Sequence, residues 1–192
     1  MGTRGAWGFR ISGQDKVTYC HFDSYPDGLG IAVFSFVKDC SDDELITIAK
    51  RIELIKESEK PTPEQIADCK ECGSVDLKVG GRSLDDWYCL LRNSQGEPSF
   101  YKKGLKVMIN SDYFLVDSLF CEWAYIINCD TKKLECYKGF NKYKSGAGRY
   151  AQLQDPGTPE YYGVKLVDEL DFSETRTMSN ENFFGRFNES DK

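Results

Sequence analysis

Two short stretches near the start of the chain, residues 5–11 and 16–22, are dominated by aromatic and β-branched residues, and the turn-forming Ser12-Gly13-Gln14-Asp15 separates them. This pattern predicts an antiparallel hairpin that ends at His21-Phe22-Asp23. The apolar run Leu29 to Val37 has a length that suits either a buried strand or a helix, and its glycine-rich entry after Pro26 and Asp27 favours helix. The next helix is the clearest element. Ser41 with Glu44 makes a capping box, and Leu45, Ile48, Ile52 and Ile55 form one apolar stripe while Lys50, Arg51, Glu53 and Lys56 face water. Pro61 stops it. Thr62, Pro63 and Gln65 start another helix that reaches about Cys69, and Ser83 with Asp86 opens a third across Leu84 to Arg92.

Residues 119–128 and 133–138 flank Cys129-Asp130-Thr131-Lys132 and read as a second hairpin, in which Trp123, Tyr125 and Ile127 alternate with Ala124, Ile126 and Asn128. This pair is expected at the centre of the sheet. Glycines, prolines and polar residues from Asn141 to Pro159 predict a long surface loop, followed by a short strand at Tyr162 to Val167. The segment 171–192 is polar apart from Phe183, Phe184 and Phe187, and reads as a tail or a docked arm after a single domain over 1–170. Strands, then helices, then strands predict an α+β fold with helices packed on a mainly antiparallel sheet.

The 192 residues suffice for one sizeable core, and the net charge of −6 leaves no broad basic field for a nucleic-acid backbone. General nucleic-acid binding is therefore not expected, although a local arginine pocket is compatible with this charge. No apolar run is long enough to span a membrane, and the first residues lack the order of a signal peptide, so the expectation is a cytoplasmic protein with no membrane partner. In that compartment the eight cysteines are expected as buried thiols, or as metal or catalytic groups, rather than as disulfides. Cys69-Lys70-Glu71-Cys72-Gly73 has the half-site spacing of a zinc knuckle, but no second pair follows, and no glycine pattern matches a phosphate loop. Neither a metal nor a cofactor is expected.

The single histidine lies in Thr18 to Gly30. On a strand, His21 and Asp23 share a face, so the carboxylate could orient the imidazole as a base. The nucleophile would be Thr3 or Ser24, although the position of Ser24 favours a helix or turn cap. Arg4, Arg10, Tyr25 and Glu122 are the expected ligand-binding residues, with backbone N–H groups after Pro26 adding to an anion pocket. The alternative for His21 is a structural hydrogen-bonding role.

The stretches MGTRG, HFDSYPDGLG, LLRNSQG and DSLFCEWAYIINCDTKKLECYKGF occur in this order over about residues 1–140. On them the chain resembles a family of small uncharacterised proteins from bacteria, fungi, phages and large DNA viruses, which implies a phage or viral source and little about function. A second resemblance is one of layout, to N-terminal-nucleophile hydrolases: Thr3 begins the first strand and Asp23 ends the second, with Arg4 and His21 flanking them. It implies a layered sandwich and amidohydrolase-like chemistry, but that chemistry requires the nucleophile's own free amine, and removal of Met1 would expose Gly2. The resulting expectation is a polar pocket that binds, and in its catalytic version hydrolyses, a small anionic or amide-bearing ligand. The alternative is a non-catalytic phage or viral accessory protein that sequesters a ligand or docks on a host protein.

Overall fold

The computed structural model describes residues 2–144 and 146–188. The predicted hairpin is present as β1 (Gly5–Ile11) and β2 (Gln14–Cys20), with Ser12 and Gly13 in the left-handed region at the turn. The second hairpin is β5 (Trp123–Asn128) and β6 (Lys133–Lys138), and β7 (Lys165–Asp171) follows, a few residues later than the sequence pattern places it. These strands form one sheet in the order β2-β1-β5-β6-β7. Every pairing is antiparallel except β1 with β5, which runs parallel with Trp7 opposite Tyr125. The architecture is α+β, with β5 at the sheet's centre.

All six residues of β5 are buried because both faces of the sheet are covered. On one face Trp7, Phe9, Tyr125 and Ile127 pack against the helices α1 (Ile31–Lys38) and α2 (Asp42–Arg51) through Val33, Phe34, Leu45 and Ile48. On the other face Ala6, Val17, Ala124 and Ile126 are covered by loop residues, among them Phe114, Leu115, Tyr150 and Val164. The capping box of α2 forms in both directions, with Glu44 N–H donating to Ser41 Oγ and Ser41 N–H donating to Glu44 Oε2. The helix ends at Arg51, four residues before the apolar stripe does, because Glu53–Ile55 becomes β3 and pairs in parallel with β4 (Val107–Ile109). Ile55 is thus buried from a strand. Lys16 of β2 reaches the end of α2, where its ammonium donates to the carbonyls of Ala49 and Ile52 at 2.9 and 2.5 Å. Burial lowers its pKa.

The second capping box opens α3 (Pro63–Cys72), which closes on the left-handed Gly73. One-turn helices follow at α4 (Trp87–Leu90) and α5 (Ser99–Lys102). The segment after β7 is docked as α6 (Phe172–Thr177) and α7 (Asn180–Asn188), with the Phe183 ring stacked 4.4 Å from that of Phe34. Residues 189–192 of the expected tail lie outside the described residues.

Candidate functional site

The corner after β2 shapes one wall of a cleft. Asp23 takes a left-handed φ of +43°, and its carbonyl accepts from Leu29 N–H at 2.8 Å, which folds Ser24 back under the chain. Pro26–Gly30 then makes one wide helical turn that runs into α1. Gly30 is required there because a Cβ would lie 2.9 Å from the ring and hydroxyl of Tyr125. That hydroxyl donates to the Ser24 carbonyl at 3.0 Å and fastens the corner to the central strand.

The cleft has a volume of about 1060 Å³ and collects side chains from six separated segments. Tyr19, His21 and Phe22 come from β2 and its exit, and Arg4 from the entry to β1. Lys56 follows β3, while Tyr88 and Arg92 come from α4 and the turn after it. Tyr113 and Phe120 close the rim. Asp86 sets the position of α4, since its carboxylate accepts from Tyr88 N–H at 2.9 Å and from Gly81 N–H at 3.0 Å. These bonds, Gly81's first, hold its pKa below the ordinary carboxylate value. Trp87 locks the opposite lip by donating from Nε1 to the Glu59 carbonyl at 2.7 Å.

Both arginines of the cleft lie against aromatic rings. Arg4 Cζ sits 4.6 Å from the Phe120 centroid, and Arg92 Cζ lies 5.4 and 5.6 Å from those of Phe22 and Tyr88. Such stacking contributes about 0.5–1 kcal/mol at an exposed site and occupies a face of the guanidinium rather than its N–H edge, of which one group is taken in Arg92, where Nη1 donates to Gln95 Oε1 at 2.9 Å. The imidazole of His21 lies 4.7 Å from the Phe22 ring, and its Nδ1 is 2.7 Å from the Tyr19 hydroxyl. Burial pushes the Tyr19 phenol up, and the neighbouring Arg4 draws it partly back. Asp117 also lines the cleft. Burial and the nearby Asp155 push its carboxyl up, and its Oδ1 is buried without a hydrogen bond.

The structure brings His21 and Arg4 together but separates them from the other expected site residues. Asp23 does not orient His21: among the described residues the partner of Nδ1 is Tyr19, because the left-handed turn at Asp23 breaks the strand alternation. Ser24 is fully buried, and its Oγ has no hydrogen bond and sits against Gly5. Thr3 is buried, and its carbonyl accepts from Ser24 N–H at 3.2 Å. Arg10 lies at the far end of β1, paired with Asp15 at 2.8 Å. Tyr25 and Glu122 are outside the lining of the cleft. All eight cysteines are buried, and burial pushes the Cys69 and Cys129 thiols up to about 11 and about 12, so they are poor nucleophiles.

Sequence reasoning missed Arg92, Tyr88, Tyr113 and Phe120. The spacing of Tyr88 and Arg92, four residues apart, was a usable signal for a stacked pair on one helical face. No family model matches the chain, and neither the curated proteins nor the solved structures contain a significant match to it.

Proposed function

We propose that the protein binds a small anionic ligand in the cleft between the exit of β2 and α4. The observation that carries this reading is the pair of guanidinium groups, Arg4 and Arg92, which lie against aromatic rings and, among the described residues, form no ion pair within 4 Å, Asp117 acting on Arg4 only from longer range. In a protein with net charge −6, a cleft lined by Arg4, Arg92 and Lys56 against Glu57 and Asp117 concentrates positive charge locally. A volume of about 1060 Å³ suits a small molecule. Binding is favoured over hydrolysis because the groups touching the imidazole are the Tyr19 hydroxyl and the Phe22 ring, while Ser24 and Thr3 are buried.

Calorimetric titration with inorganic phosphate tests this. A Kd of about 1 mM or tighter, corresponding to roughly −4 kcal/mol, is expected for the wild type. It should be lost in the Arg4→Gln, Arg92→Gln double variant with a drop of no more than a few degrees in melting temperature. Absence of binding to the wild type overturns the reading.

A further inference from the structure

The cleft offers more than an anion hole. Its rim carries four exposed rings, from Phe120 at 40% to Tyr113 at 69%, with Phe22 and Tyr88 between these values. Phe22, Tyr88 and Phe120 each carry a guanidinium on one face. Among the described residues Tyr113 has neither a ring nor a guanidinium partner, so its face is open for stacking. An aromatic side chain exposed to this degree at the mouth of a cationic cleft matches a ligand with a flat ring joined to its charge.

The charge itself is best matched by a phosphate monoester. Such a group carries about 1.5 to 2 negative charges near neutral pH and several acceptor oxygens, and so calls for more than one cationic or N–H donor. Arg4 supplies a planar fork of donors. The Tyr19 hydroxyl engages Nδ1 of His21, which leaves Nε2 as the ring nitrogen that meets the ligand, a further donor in the tautomer in which Nδ1 accepts from the hydroxyl. Lys56 and Arg92 lie elsewhere on the same lining. A carboxylate would use one such arginine and leave the others without a partner.

Building on the anion-binding reading above, we infer that the ligand is a phosphate monoester of a planar aromatic group. Its phosphate is held by Arg4 and His21, and its ring stacks on Tyr113. The test is calorimetric titration of the full chain with phenyl phosphate, inorganic phosphate, benzoate and a short oligothymidylate. Phenyl phosphate should bind at least tenfold more tightly than inorganic phosphate and than benzoate. Tyr113→Ala should erase the advantage over inorganic phosphate while leaving phosphate affinity unchanged. If phenyl phosphate is no tighter than inorganic phosphate, the ring site is wrong and the anion-binding reading stands. If benzoate equals phenyl phosphate, the assignment to phosphate falls. Tighter binding of the oligothymidylate than of phenyl phosphate overturns the assignment to a small ester. If none of the four binds, the anion-binding reading fails as well.

Discussion

Two arginine-rich clusters in this molecule are built from the same residue types and end in opposite states. On the loop-covered face of the sheet, Arg149 forms two contacts with Glu135, at 2.9 and 2.6 Å, and donates from Nε to the Tyr150 hydroxyl at 3.0 Å. That hydroxyl donates to Asp15, whose other oxygen accepts from Arg10, and Glu135 also accepts from Asn128 and Tyr137. Four adjacent strands contribute, and each charge has a counter-charge. In the cleft, Arg4 and Arg92 meet rings instead. An arginine balanced by carboxylates is committed to holding strands together, whereas one supported by π-faces is positioned and still available to an incoming anion.

Arg149→Ala should destabilise the fold by about 3–5 kcal/mol in urea denaturation, because it leaves the buried Glu135 without its cation. A loss below about 1 kcal/mol would show that this network is no more structural than the cleft. Arg4→Gln should weaken inorganic phosphate binding by about tenfold, the equivalent of roughly 1.4 kcal/mol, at nearly unchanged stability. Arg92→Ala should cost under about 1 kcal/mol of stability, since only cation–π contacts and one bond to Gln95 disappear. The smallest effect concerns Asp42, whose carboxyl is held below its ordinary value of 3.8 by hydrogen bonds from Arg176 and Lys132. A depressed carboxylate contributes stability that is complete above that ordinary value and is lost as pH falls through the folded one. The partly exposed pair should therefore weaken the attachment of α6 only below about pH 4, by no more than about 1 kcal/mol, visible as a small drop in melting temperature that Asp42→Asn removes.

What could be read in the sequence was local. Ser41 with Glu44 and Thr62 with Gln65 announce their helices because the bonded groups are three residues apart, and both hairpins follow from alternation around turn residues. Contacts set by distant partners could not be read this way. The stripe that includes Ile52 and Ile55 looks helical until Val107–Ile109 offers a strand to pair with. Alternation put Asp23 beside His21, but the bond from Leu29 N–H to the Asp23 carbonyl imposes a left-handed turn that no periodicity displays. His21 and Arg4, expected as site residues from the sequence, both line the cleft. Their aromatic companions were not legible there, because Phe22, Tyr88, Tyr113 and Phe120 come from segments joined only by the fold.

The parallel pairing of β1 with β5 also governs how the protein is made. Ser12 and Gly13 at the tip of the first hairpin donate to Asp130 at 2.7 and 2.9 Å, across a sequence separation of 118 residues for the first bond. On a ribosome adding roughly 5–20 residues per second, the inner edge of β1 waits about 10 s for its neighbour to emerge. Until then the nascent hairpin exposes Trp7, Phe9 and an open strand edge, and this interval is where chaperone engagement or mispairing with another chain would occur.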